Sequence, residues 1–185
     1  MKISKSLFLV SLLNIILPTI IMGNSLEFRV GNFFPASNYM RDNYKHGGVE
    51  FEAEGGFGLS NNSTIWININ SSHHKSLGFF DPSTINIYPL SAGVKYFIPI
   101  SKYTNFYLGI GPSLSFIKIH DNSIFMTDLH KTAWGAVGKS GFLWFLSKHF
   151  FIDFYADFYY TRVFLGGNSR NIGGWRVGIG LGINF

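Results

Sequence analysis

Cysteine is absent from the 185-residue chain. That excludes disulfide staples, thiolate metal sites, thiol nucleophiles and a lipid-modified cysteine behind a leader. Charge is scarce as well. Asp, Glu, Lys and Arg make up 14% of the residues, against about 25% in ordinary soluble domains. Hydrophobic residues nevertheless reach 46%. Beyond residue 25 no run of roughly 20 apolar residues occurs, so no transmembrane helix is written there. Little charge without a long apolar run fits strands that turn one face to lipid and the other to a polar interior. Lys and Arg nowhere cluster, which argues against a nucleic-acid partner. The formal net charge is +5, and +3 once Lys2 and Lys5 are set aside.

What is present begins with a leader. Met1–Ser6 carries Lys2 and Lys5, Leu7–Leu17 is nearly all apolar, Pro18 breaks the run, and Gly23-Asn24-Ser25 supplies small residues. This three-part pattern predicts a secretory signal peptide over residues 1–25. Cleavage is expected after Ser25, with Gly23 as the second site, leaving a single domain over 26–185.

Aromatics reach 18%, with 20 Phe and 9 Tyr beside 21 Gly, a composition suited to strands. From Leu26 onward apolar residues alternate with polar or small ones. In a strand that alternation assigns opposite faces. Strands are predicted over 26–34, 47–59, 64–71, 84–98, 104–118, 132–146, 150–164 and 174–185. Strand six has the least regular pattern. The last is the most regular: Trp175, Val177, Ile179, Leu181, Ile183 and Phe185 share one face, and Gly174, Arg176, Gly178, Gly180, Gly182 and Asn184 the other. Tyr103, Trp144, Tyr160 and Trp175 fall near strand ends, where interfacial aromatics belong.

Connections alternate in length. Ser60–Ser63, Pro99–Tyr103 and Ser147–His149 are short; Pro35–His46, Ser72–Ser83, Ile119–Lys131 and Leu165–Asn171 are longer. Short periplasmic turns and long outer loops are the rule for outer-membrane barrels. Backbone polar groups find no water in hydrocarbon, so the sheet must close. The predicted fold is therefore all-β: an eight-stranded antiparallel up-and-down transmembrane barrel. Eight strands leave an interior just wide enough for side chains to fill. Parity sends Glu27, Glu50, Glu52, Glu54, Asp153 and Asp157 inward, with Arg29, Lys95, Lys139 and Arg176. Charges in so narrow a lumen must be paired or hydrated; pairing is expected, which predicts a plug and not a pore. Inward Gly178, Gly180 and Gly182 make room for larger inward residues elsewhere.

Three stretches carry a resemblance: Gly93-Val94-Lys95-Tyr96-Phe97, Tyr107-Leu108-Gly109-Ile110-Gly111-Pro112, and Gly178-Ile179-Gly180-Leu181-Gly182-Ile183-Asn184-Phe185. With them the chain resembles the small outer-membrane β-barrel domain family of OmpA- and OmpX-like eight-stranded barrels, well over 84–185 and loosely over 26–83. The resemblance implies a location in the bacterial outer membrane. It also implies an assembly signal at Phe185, Ile183, Leu181 and Ile179, read by the barrel-assembly machinery. The expected role is structural or surface-interacting and non-enzymatic. Outer-membrane lipid and lipopolysaccharide are expected partners, with a host or surface ligand at the external loops.

Two other readings stay open. His120-Asp121-Asn122-Ser123 and Asp128-Leu129-His130 place imidazole, carboxylate and hydroxyl in one predicted loop. These are the groups an enzyme acting on lipid A would need. A wider lumen would make the chain a narrow channel for small solutes. His46, His73, His74, His120 and His130 are all expected in outer loops or at their rims, and His149 in a short turn. His73-His74 makes a poor metal site, because adjacent strand residues point apart. No metal or cofactor is expected. Arg41, Lys45, Lys75, Lys131 and Arg170 fall on the loop side with Asp42, Asp81, Asp121 and Asp128. Phe79, Phe80, Phe125 and Met126 place apolar groups there.

Overall fold

A computed structural model describes residues 24–44, 48–75, 83–121, 129–165 and 168–185. In chain order the elements are β1 (Ser25–Pro35), α1 (Asn38–Asn43), β2 (Val49–Ser60), β3 (Ser63–Lys75), β4 (Ser83–Ser101), β5 (Thr104–Asp121), β6 (Leu129–Phe145), β7 (Phe150–Leu165), β8 (Asn168–Asn171) and β9 (Gly174–Asn184). Each barrel strand runs antiparallel to both its neighbours. The ring closes through β7 on β9 and β9 on β1. β8 stands outside the ring and pairs only with the end of β7, Arg162–Leu165 against Asn168–Asn171. The result is the expected closed eight-stranded antiparallel barrel, with β8 as a hairpin extension.

Alternation explains which face is which. On β3, Ile65, Ile67 and Ile69 are exposed, while Trp66, Asn68 and Asn70 are buried. On β9, Val177, Ile179 and Leu181 face out, and Arg176 points inward. The same apolar wall continues round the ring through Phe28, Phe51, Val94, Ile110, Phe142 and Phe154. Soluble monomers rarely expose more than a few hundred Å² of contiguous apolar surface. An apolar belt around the whole wall is stable only in hydrocarbon. Among the described residues no helix is long and apolar enough to cross a membrane.

The strands reach further than the alternation pattern predicts at the loop end. β3 continues to Lys75, β5 to Asp121, and β6 begins at Leu129. His73, His74, His120 and His130 therefore lie at the loop-side rims, on strand ends and not in the loops themselves. The physical reason is that pairing does not stop at the membrane edge: hydrogen-bonded ladders extend into water while the register holds. The first loop contains α1, absent from the expected elements. Ser37 caps it, its hydroxyl accepting from the Met40 amide at 3.3 Å, as N-cap serines do. His46, Lys45, Phe79, Phe80, Asp81, Asp128 and the Asn122–Met126 segment lie outside the described residues. The leader lies outside them too, except for Asn24 and Ser25.

Candidate functional site

The interior has three levels. Near the short turns, Tyr107, Leu143 and Phe151 form a small apolar layer with Phe97 and Phe145. The centre is charged. At the loop end Phe33, Met40, Tyr44, Ile85, Ile87, Ile117, Val163 and Ile172 make an apolar cap, with α1 folded over it. The ten residues assigned to the lumen from parity are all buried.

Arg29, on β1, is the hub. Its side chain is 0% exposed. The guanidinium donates to both oxygens of Glu27, Nε to Oε1 at 2.7 Å and Nη2 to Oε2 at 3.1 Å. Nη1 donates to Glu52 at 3.1 Å and to Asp157 at 3.3 Å. Asp153 lies 2.6 Å away as an ion pair, and Glu54 lies 3.6 Å away. Lys139, on β6, reaches Glu52 at 2.7 Å, Glu54 at 2.9 Å and Asp157 at 3.0 Å. Lys95, on β4, pairs with Glu54. The tenth and ninth members form a separate pair nearer the loop end. Arg176 Nε approaches Glu50 Oε2 at 2.7 Å, without hydrogen-bond alignment.

Six carboxylates face four cations, so the cations are shared: Arg29 serves five acids and Lys139 three. A guanidinium suits that hub, because its planar fork presents five donors in fixed directions.

Aromatic and amide side chains complete the filling. Tyr107 accepts from Arg29 at 3.1 Å and donates to Asp153 at 2.9 Å. Tyr155 stacks 4.9 Å from the Arg29 guanidinium carbon, and Trp66 lies 4.8 Å from Lys139 Nζ. Arg176 sits 3.7 Å over the Tyr159 ring. Asn68 donates to Tyr159 at 3.1 Å. None of these was among the candidate site residues, although their inward parity was readable.

Room for them comes from glycine. Gly31 and Gly178 are direct partners on β1 and β9. A Cβ on Gly178 would stand 2.6 Å from the Gly31 Cα and 2.8 Å from the Tyr155 hydroxyl. The Phe151 ring occupies the space a Cβ on Gly182 would need.

Phe185, Ile183, Leu181 and Ile179 are exposed on the outer wall of β9, beside β1 and β7. The Phe185 amide donates to the Asn24 carbonyl at 3.0 Å, which joins the two ends of the barrel chain. The histidines are dispersed. His74 points inward against Phe33, with ring centroids 5.0 Å apart. His73 points outward, and its Nδ1 lies 2.6 Å from Asn86 Oδ1. Among the described residues no group of three or more His, Asp or Glu is placed to hold a metal ion.

The fold is that of the small outer-membrane barrels. Neisserial surface protein A superposes with a TM-score of 0.66 at 13% identity, over 88% of this chain and 97% of that one. OprG from Pseudomonas aeruginosa gives 0.60 at 14% identity, over 88% and 95%. Ail of Yersinia pestis, in complex with the heparin analogue sucrose octasulfate, gives 0.56 at 15% identity, over 86% and 97%. No family model matches the chain, and no curated protein matches it in sequence. At these identities the likeness is one of architecture: a membrane-spanning barrel of the bacterial outer-membrane type.

Proposed function

We propose that the protein is a non-enzymatic outer-membrane barrel with a structural or surface-interaction role, its lumen closed by paired charge. The observation that carries this reading is Arg29, wholly buried and bound to carboxylates from β1, β2 and β7 at one level. With Lys139 of β6, side chains from four strands meet across the axis there, so a solute would have to break several charge-assisted bonds to pass. The apolar cap beneath α1 adds a second barrier. The test is conductance in planar bilayers. Insertion without discrete current steps is expected; stable unitary steps would sink the plug.

In this reading the wall is solvated by outer-membrane lipid and lipopolysaccharide, and the loop end meets a host or surface ligand. Ail was crystallised with a sulfated sugar, which supports a polyanion as the ligand class. Assembly is directed by Phe185, Ile183, Leu181 and Ile179, recognised by the barrel-assembly machinery. The leader is removed during export. Ser25 pairs with both Gly56 and Asn184, and Asn24 accepts from Phe185. These contacts favour cleavage after Gly23 over cleavage after Ser25. The intact mass of the purified protein distinguishes the two sites.

A further inference from the structure

The outer wall carries a feature that the filled lumen does not use. Above the apolar belt, the outward positions of β3 to β7 hold His73, Lys75, Lys118, His120, His130 and Arg162. Among the described residues no outward wall position there is acidic. The register turns part of this set into a row. His73 stands opposite Asn86, Asn86 opposite Lys118, and Lys118 opposite His130. Neighbouring strands lie about 4.8 Å apart, so adjacent members of the row can touch one small ligand. His120 stands one pair further out, opposite Thr84. Asn86, Lys118, Ile119, His120 and His130 line an open depression.

The donors are set by chemistry. A side-chain carbonyl only accepts, so the contact between His73 and Asn86 puts the proton on His73 Nδ1. Asn86 then offers its amide protons, beside the Lys118 ammonium and the two imidazoles.

The height of the depression says which anion it meets. The next pair toward the belt is Phe116 with Thr132, and the one after is Leu114 with Trp134. Phe116 and Trp134 are exposed on the wall. Lys118 therefore stands roughly 7 Å along the strand from Phe116 and roughly 14 Å from Leu114. Lys118 thus stands at the upper edge of the apolar belt, one pair above exposed Phe116.

We propose that this depression is a phosphate subsite for a phosphorylated lipid of the outer leaflet. Lys118 and His130 grip the phosphate, Asn86 and His120 border it, and an acyl chain runs along Phe116 and Trp134. The proposal rests on the membrane-barrel reading and gives its lipid contact a defined phosphate site. A free phosphate would use the same cations but gain nothing from the belt below.

The test uses the full mature chain in phosphatidylcholine nanodiscs, with insertion checked by heat-modifiable migration. Diphosphorylated lipid A or its dephosphorylated form is titrated in, and bound lipid is counted by native mass spectrometry. Wild type is expected to hold the phosphorylated lipid about tenfold more tightly, a difference of about 1.4 kcal/mol. Lys118→Gln with His130→Gln should abolish that preference; Lys148→Gln, in the opposite turn, should keep it. Equal affinity for both lipids, or a preference that survives the double variant, overturns the proposal. Inorganic phosphate binding as tightly as the lipid overturns the lipid assignment. A chain that never shows the heat-dependent shift fails the barrel reading itself, whereas a shifted chain without a preference fails only the subsite.

Discussion

Arg29 and Phe33 stand on the same strand and the same face, four residues or roughly 13 Å apart, yet in different media. Around Arg29 the level itself is charged, and its own charge is distributed over five carboxylates. Phe33 belongs to the apolar cap with Met40, Ile85 and Ile117, its ring also meeting His74 and the Arg176 guanidinium. The charged level lies between lipid-facing belt positions, and the apolar level lies where the strands emerge toward the loops. The barrel thus inverts a soluble domain twice over: oil outside and charge within at mid-height, then oil within where the outside turns polar. The difference teaches that closure by hydrogen bonds, not a hydrophobic centre, holds the middle, while ordinary core packing secures the rim.

That contrast can be broken level by level. Arg29→Met should have the largest effect, because it takes the cation from Glu27 and Asp153 and leaves Glu52 and Asp157 to Lys139 alone. Removing one partner from a buried ion pair costs about 3–5 kcal/mol, measurable by urea titration in lipid vesicles. Phe33→Ala should cost about 3 kcal/mol by opening a cavity in the cap, with the central level intact in the same titration. The two effects should add within about 0.5 kcal/mol in the double variant, as independent sites do; a larger coupling would mean that the levels are one unit. Gly178→Ala should cost about 2 kcal/mol by overpacking against Gly31 and Tyr155. Gly138→Ala is the control, since no atom lies within 4 Å of its added carbon. Its stability should change by less than about 0.5 kcal/mol.

Much of this arrangement was legible in the sequence because a strand has period two. Once Val177, Ile179 and Leu181 are turned to lipid, Arg176 has nowhere to go but inward. The same parity placed Glu50, Glu52 and Glu54 in the lumen before any contact was known. What parity cannot give is depth. It does not say that Arg29, not Lys95, is the hub, because that depends on the stagger between strands that close the ring. Nor did it reveal the cap. Ile85, Ile87 and Ile117 share inward parity with the charged residues, but their meeting with Met40 of α1 crosses elements far apart in the chain. The loop-side strand ends were drawn short for a related reason. Polar residues at 73, 120 and 130 read as loop, although a paired strand in water carries polar side chains on its outer face without strain.

β4, β5, β6 and β7 run for 19, 18, 17 and 16 residues, whereas β9, β1 and β2 run for 11, 11 and 12. At about 3.3 Å per residue the cylinder is cut on a bevel, one flank rising well above the other. A level cylinder has no heading in the plane of the membrane; this one has an azimuth. Neighbours drifting past meet a parapet on one side and a low sill on the other, so its lateral encounters differ around the circumference.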